Sequence, residues 1–208
     1  PDMETSILLI KKMQELGYSR VITTPHVMSD FYKNSSETIL KGLAAVRSEL
    51  KLQNINMDIN AAAEYYLDFD FEQKIGKEKF LTFGDNYILV ELSFMQVPNN
   101  LFDIVFKLQM EGYKVVLAHP ERYGYYNQED YDNLIIRGVL LQINLLSLIG
   151  YYSPQIQQKA KELIAKNQVS FVGTDCHNMN HAELYEKCQT KKAWHDLVNS
   201  GKLLNATL

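Results

Sequence analysis

The sequence predicts an α/β fold in which parallel strands and helices alternate around a closed barrel. Short, nearly continuous apolar runs, typical of strands buried on both faces, alternate with longer amphipathic segments. This alternation implies parallel strands joined by right-handed crossovers. A residue able to bind a metal ion or carry a proton follows almost every run, and a closed barrel brings all the strand ends to one face. An open doubly wound sheet is the alternative, but it would spread the same residues along an edge.

Six apolar runs are the predicted strands. They comprise residues 20–24, 57–63, 87–91, 114–118, 139–144 and 169–173. Because a helical pattern precedes the first run, we expect the intact protein to contain at least one further strand, and therefore at least seven. No low-complexity segment or linker divides the chain, so a single domain over residues 1–208 is expected.

The predicted helices are recognised by apolar spacing and by their end signals. Gly17 and Gly112 follow two of these segments, and Ser153 and Pro154 suit the N-cap and first turn of a third. Pro98 is expected in the first turn of its helix. The helical segments cover residues 4–17, 35–53, 98–112, 128–138, 153–167 and roughly 182–200.

Charge and composition exclude several classes of function. The net charge is −4 and no basic block exceeds two consecutive lysines, so the electrostatic signature of a nucleic-acid binder is missing. No apolar run approaches the roughly 18 residues of a membrane-spanning helix. Cys176 and Cys188 have no metal-ligand spacing, and two free thiols are typical of a reducing compartment. A cytoplasmic protein without membrane insertion is therefore expected.

Metal-binding residue types are concentrated at the predicted strand ends. Each residue taken singly could be a helix cap or a hydrogen-bonded turn residue. The occurrence of the whole set at one face of the predicted barrel favours a metal site. Imidazole and carboxylate ligands suit Mn²⁺, Fe²⁺, Zn²⁺ or Mg²⁺, and pairs of ions about 3.5–4 Å apart are common in phosphate-ester hydrolysis. The candidate ligands are His26, Glu64, Glu91, His119, Asp175 and His177, and the remaining strand ends in Asn144.

Arg122 lies three residues after His119, on the loop that leaves the same predicted strand. A guanidinium at the barrel mouth would bind a phosphate with two parallel hydrogen bonds. The alternative is a salt bridge to Glu121 or to another neighbour. We expect Glu121 to turn away from the site and orient a neighbouring group.

Several motifs occur in the order found in a known family. They are "TPH", an isolated Glu after a strand, "YILVE", "LAHPERY", "QINLLSLIG" and "TDCHN". The chain resembles PHP-domain (polymerase and histidinol phosphatase) proteins. More narrowly, it resembles the manganese-dependent protein-tyrosine phosphatases of bacterial capsule and exopolysaccharide operons. "AHPERY" followed by "QINLLSLIGYY" is the most specific part, and the resemblance covers nearly the whole chain.

This resemblance implies a distorted (β/α)7 TIM-like barrel, the PHP fold, with two to three divalent metal ions, Mn²⁺ first among them. Glu64 resembles the bridging ligand and Arg122 the phosphate-binding arginine. Arg122, His119 and Asp175 are the implied catalytic residues. The implied metal ligands are His26, Glu64, Glu91, His119, Asp175 and His177.

Two features depart from the family pattern. Its first strand, which ends in His-x-His, has no counterpart in these 208 residues, and Pro1 begins where the first helix would follow. Relatives also carry an Arg shortly after the last His, where this chain has His181 and Ala182. His181, when protonated, is the candidate for that second substrate contact.

The implied activity is removal of phosphate from the phosphotyrosine tail of a bacterial tyrosine kinase that controls polysaccharide synthesis. Two alternatives stay open: a small-molecule phosphatase of the histidinol-phosphate type, and a catalytically inactive PHP module with a regulatory role. A homo-oligomer also stays open. Tyrosines could stack on an aromatic phosphoester or merely pack at the barrel rim; they are Tyr123, Tyr125, Tyr126, Tyr151 and Tyr152.

Overall fold

A curled sheet of parallel strands forms the centre of the computed structural model, which describes residues 2–208. Its strands are β1 (Arg20–Thr23), β2 (His26–Val27), β3 (Asp58–Ala61), β4 (Glu64–Tyr66), β5 (Tyr87–Glu91), β6 (Lys114–Ala118), β7 (Leu140–Asn144) and β8 (Phe171–Gly173). Six of them pair in the order β2-β4-β5-β6-β7-β8, and β1 pairs separately with β3. Every pair is parallel, as predicted.

All six predicted runs contain a strand, but the prediction missed two short strands, β2 and β4, which follow the first two runs. Run 20–24 ends as β1 at Thr23, and β2 begins at His26 after Pro25, which has no N–H group for a ladder. Run 57–63 likewise contains β3, which ends at Ala61, and β4 begins at Glu64 after Ala62 and Ala63. The Pro25 carbonyl accepts a hydrogen bond from the Glu64 amide, so the two breaks lie side by side.

Helices cover the outer side of the sheet. They are α1 (Met3–Glu15), α2 (Ser36–Leu52), α3 (Phe69–Lys74), α4 (Leu101–Met110), α5 (Gln128–Ile136), α6 (Pro154–Ala165), α7 (Met179–Gln189) and α8 (Lys192–Asn199). The predicted caps at Ser153 and Pro154 are confirmed. Gly17 and Gly112 both have left-handed backbones, with φ of 88° and 83°, directly after the C-caps of α1 and α4.

Two helix predictions need correction, and one helix was missed. Pro98 does not lie in the first turn of α4, since Asn100 is the N-cap. The segment around 182–200 contains two helices, α7 and α8, separated at Thr190 and Lys191. Helix α3 was not predicted; it is only six residues long, and Asp68 caps it by accepting a hydrogen bond from the Phe71 amide.

Both faces of the sheet are apolar. In β6, Val115 and Leu117 pack into the large core beneath the helices, whereas Val116 and Ala118 pack with Leu89 into a smaller cluster. This alternation follows from the two-residue period of a strand. The concave side of the sheet is therefore filled by side chains rather than open to solvent. Among residues 2–208, the structure has no helix with the length and apolar character needed to cross a bilayer.

Candidate metal centre

Neighbouring strands bring the first four candidate ligands together at one edge of the sheet. His26 and Glu64 are the first residues of β2 and β4 and are paired in register. Glu91 ends β5 and is paired with Tyr66, and His119 follows β6. Because β2, β4, β5 and β6 are adjacent in that order, main-chain pairing alone sets these four residues side by side.

The side chains of this group are in direct contact. Glu64 Oε1 lies 3.2 Å from His119 Nε2 and 3.7 Å from His26 Nδ1. Glu91 Oε1 lies 3.4 Å from His119 Nε2, and its Oε2 lies 3.5 Å from His26 Nδ1. The ligand atoms of His26, Glu64 and Glu91 all lie within 4.8 Å of one another and could hold a metal ion.

The electrostatics of this group suit a cation. His119 is 2% exposed, and burial by itself lowers the pKa of its imidazole. Hydrogen bonds to Glu64 and Glu91 and the charge of Glu64 outweigh that effect and raise the pKa of His119 to about 10. Two buried carboxylates therefore favour a positive charge between them. Imidazole nitrogens and carboxylate oxygens are the ligands that divalent manganese, iron, zinc or magnesium accept, so the residues fit such an ion.

The loop after β8 supplies the remaining candidate ligands. Asp175 Oδ2 accepts hydrogen bonds from Asn144 Nδ2 at 2.7 Å and from Arg122 at 3.2 Å, while Oδ1 lies 3.3 Å from His177 Nδ1. The His177 ring lies 5.9 Å from the His26 ring. The curl of the sheet thus brings the last candidate ligand of the chain next to the first.

Backbone conformation is unusual at two of these positions. His119 and Asp175 have φ values of 36° and 49°, in the left-handed region that non-glycine residues seldom occupy. Each follows the end of a strand directly or within two residues, at the point where the chain turns away. Strained backbones of this kind are concentrated at functional sites.

Arg122 lies at the mouth of this group, as expected, and its guanidinium is held between two aromatic rings. Its Cζ atom is 4.8 Å from the centre of the Phe94 ring and 4.6 Å from that of Tyr152. The alternative prediction of a salt bridge to a neighbouring residue is also confirmed, because Arg122 forms an ion pair with Asp175. Its partner is not Glu121.

Glu121 is fully buried and points away from the candidate ligands. Its Oε1 accepts hydrogen bonds from the Asn144 amide at 2.8 Å and from the Ser147 hydroxyl at 2.6 Å. Burial raises the pKa of Glu121 above its usual value. Glu121 thus fixes the end of β7, and Asn144 at that end in turn holds Asp175.

His181 is buried in the first turn of α7, and both ring nitrogens have neighbours. Its Nε2 lies 3.1 Å from the Tyr151 hydroxyl, and its Nδ1 lies 3.4 Å from the His177 amide and 3.3 Å from the Asp175 carbonyl oxygen. Contact with a phosphate would require the Tyr151 hydroxyl to leave Nε2.

Sequence reasoning missed Phe94, which contacts both Arg122 and His119, with ring centres of Phe94 and His119 5.6 Å apart. An aromatic residue three positions after Glu91 is the signal that could have found it. Tyr123 and Tyr126, which were considered for stacking on substrate, are buried and pack in the core. Tyr125 donates a hydrogen bond to the Ser93 carbonyl and so supports the loop that carries Phe94.

A curled parallel sheet with carboxylates, imidazoles and a guanidinium at its carboxyl edge is typical of a metal-dependent hydrolase. Comparison with known sequences identifies the group to which the protein is related. The chain belongs to the CpsB/CapC family of capsular polysaccharide synthesis, whose sequence profile matches residues 1–197. The resemblance inferred from the motifs is confirmed.

The similar proteins include two tyrosine-protein phosphatases and one putative tyrosine-protein phosphatase. The chain is 29% identical to the tyrosine-protein phosphatase YwqE of Bacillus subtilis over 86% of this chain and 71% of YwqE. It is 23% identical to the putative tyrosine-protein phosphatase CapC of Staphylococcus aureus, over 96% of this chain and 82% of that protein. It is also 23% identical to the tyrosine-protein phosphatase CpsB of Streptococcus agalactiae, over 86% of this chain and 76% of CpsB.

A solved structure supports the same relationship. A chain from the crystal structures of YwqE from Bacillus subtilis and CpsB from Streptococcus pneumoniae, described as unique metal-dependent tyrosine phosphatases, has a TM-score of 0.82 to this one. The two chains are 26% identical, and the match covers 95% of this chain and 85% of the other.

Proposed function

We propose that this protein is a metal-dependent protein-tyrosine phosphatase that removes phosphate from the phosphotyrosine tail of a bacterial tyrosine kinase controlling capsule or exopolysaccharide synthesis. The family and the names of its relatives support the reaction. One observation carries the proposal to this chain's own residues: Arg122 is bonded to Asp175 and stacked on Phe94, whose ring also packs on His119. An anion-binding group and a cation-binding group therefore share one site.

Six residues would hold two to three divalent ions, Mn²⁺ first among them. When bound, such ions polarise the phosphate and lower the pKa of a bound water. Glu64 is the proposed bridging ligand, because its Oε1 lies between the two imidazoles of His26 and His119. The proposed ligands are His26, Glu64, Glu91, His119, Asp175 and His177.

The chain's own contribution to catalysis is to bind and orient the phosphate. Arg122 would hold the non-reacting phosphate oxygens through its guanidinium edge, with a planar geometry that lysine lacks. Asn144 and Arg122 both bond Asp175 Oδ2, which turns Oδ1 toward His177. His181 is the proposed second substrate contact, dependent on movement of Tyr151.

The same proposal includes the finer architecture and setting. The curled sheet is interpreted as part of a distorted (β/α)7 PHP barrel, and residues 1–208 as one domain of it. A cytoplasmic location would place the site beside the kinase tail that it acts on.

The test is a phosphatase assay of the full-length protein, loaded in turn with Mn²⁺, Fe²⁺, Zn²⁺ and Mg²⁺. We expect a phosphotyrosine peptide to be hydrolysed far faster than a phosphoserine peptide or histidinol phosphate, and activity to disappear on chelation. Preference for histidinol phosphate would favour the small-molecule alternative. No hydrolysis with any metal, in protein that binds metal, would favour a regulatory module.

A further inference from the structure

The guanidinium of Arg122 is held mainly by aromatic rings, and most of its N–H groups remain available for binding. Among residues 2–208, its only hydrogen-bonding partner is Asp175, through one Nη atom at 3.2 Å. Its Cζ atom lies over the rings of both Phe94 and Tyr152, 4.8 and 4.6 Å from the ring centres. Stacking fixes the plane of a guanidinium but uses none of its five N–H donors. Most of the donor edge is therefore available to an anion.

Phe94 is the more exposed of the two rings, and its loop is anchored from behind. Phe94 is 45% exposed. On one side of it, the Leu92 amide donates a hydrogen bond to the Tyr123 hydroxyl at 2.9 Å, and the Ser93 carbonyl accepts one from Tyr125 at 2.7 Å. Two tyrosines thus fix the backbone that presents the Phe94 ring to Arg122.

We propose that Phe94 is a positioning residue, which together with Tyr152 holds Arg122 in the plane required for phosphate binding while leaving most of its N–H groups available to an anion. This inference rests on the proposed function of the site, but it concerns phosphate binding and can be tested without turnover. Without the Phe94 ring, the guanidinium loses one of its two aromatic contacts and can rotate toward solvent or further onto Asp175.

The experiment compares Phe94→Leu and Phe94→Tyr in the full-length, metal-loaded protein. Binding of inorganic phosphate is measured by calorimetry and, where turnover is present, by competitive inhibition. We expect Phe94→Leu to weaken phosphate binding about tenfold and Phe94→Tyr to restore it, because a partly desolvated cation–ring contact has that magnitude. Metal content should match the parent protein in both variants.

A double-mutant cycle assigns the effect to Arg122. In an Arg122→Ala background, Phe94→Leu should change phosphate binding by less than about twofold, since the contact that it removes is already absent. The same tenfold loss in both backgrounds would overturn the proposal. Loss of metal in Phe94→Leu would also overturn it, because Phe94 would then support the proposed metal ligand His119 rather than Arg122.

The chain offers a matched control. Phe102, on the outer surface of α4, stacks on Arg137 with 4.2 Å between Cζ and the ring centre, and it is 42% exposed. Phe102→Leu removes the same kind of contact at a similar exposure, and it should leave phosphate binding unchanged.

The outcomes separate this proposal from the proposed function. If the parent protein failed to hydrolyse phosphotyrosine, the proposed function would be rejected. The role of Phe94 could still be tested by measuring phosphate binding. Slower hydrolysis of phosphotyrosine with unchanged phosphate binding in Phe94→Leu would overturn the positioning role, and would instead make Phe94 a wall for the aromatic leaving group.

Discussion

The two sides of the candidate site are built in different ways. The sheet side, formed by His26, Glu64, Glu91 and His119, lies on four adjacent strands. Its carboxylates are buried and touch both imidazoles. The loop side, formed by Asp175, His177 and His181, lies beyond β8, and the His177 side chain is 55% exposed. Strand pairing positions the first group, whereas local hydrogen bonds position the second, so the two sides should respond differently to substitution.

The largest effect is expected from Glu64, at the centre of the sheet side. Glu64→Ala should lower kcat/KM by at least about 10³-fold, because bound metals supply several kcal/mol of transition-state stabilisation. Elemental analysis should find less metal per chain than in Glu91→Ala, since a bridging ligand serves two ions. If Glu64→Ala kept its full metal content and most of its activity, the sheet side would not be the metal centre.

Arg122 comes next, because it acts on the phosphate rather than on the metals. Arg122→Ala should lower kcat/KM about 10²–10³-fold, the usual effect of removing one preorganised donor to the developing charge. Arg122→Lys should recover only part of the activity, and both variants should retain the metal content of the parent. Near-normal turnover with a markedly lower Tm in Arg122→Ala would instead make Arg122 a structural partner of Asp175.

His177 tests the loop side directly. His177→Ala should reduce activity less than Glu64→Ala, because an exposed terminal ligand is more readily replaced by water than a buried shared one. Its half-exposed ring makes a small contribution to folding, so Tm in the metal-free protein should stay within a few degrees of the parent. A larger loss than for Glu64→Ala would reverse the ranking of the two sides.

The smallest effect is expected at Cys176, which lies between two loop-side residues. Its Sγ contacts the Asn178 carbonyl oxygen at 3.6 Å, and no arginine follows in "CHNMNHAE" to complete the phosphate-binding loop of a cysteine phosphatase. Cys176→Ser should therefore keep activity within about twofold of the parent. Chelation of the metals in the same variant should abolish activity. A large loss in Cys176→Ser with metals still bound would favour a thiolate nucleophile.

The sheet side could be predicted from the sequence better than its surroundings. Apolar runs reveal buried strands, and the residues that follow them converge because parallel strands share a direction. Strands β2 and β4 escaped prediction, since they are only two and three residues long and begin with His26 and Glu64 rather than with apolar residues. The short helix α3 has too few turns to show an apolar period.

The stacking of Arg122 between Phe94 and Tyr152 could not be predicted for a different reason. These three residues come from three separate loops, and no pattern along the chain reports their distance in space. Similarly, the sequence suggested that Glu121 turns away from the site, but not that its carboxylate fixes Asn144 and so reaches Asp175 through a second residue.

The strand order of the sheet also has a consequence for how the protein folds. Strands β4 to β8 pair in chain order, and their paired residues are only 24 to 29 positions apart, so these pairings need less loop closure than a contact across most of the chain. The 5.9 Å approach of His177 to His26 joins residues about 150 positions apart, and such a contact carries a higher loop-closure cost than the pairing of neighbouring strands. The two sides of the site would therefore meet late in folding, and an ion bound by both would tie the beginning of the described chain to its end.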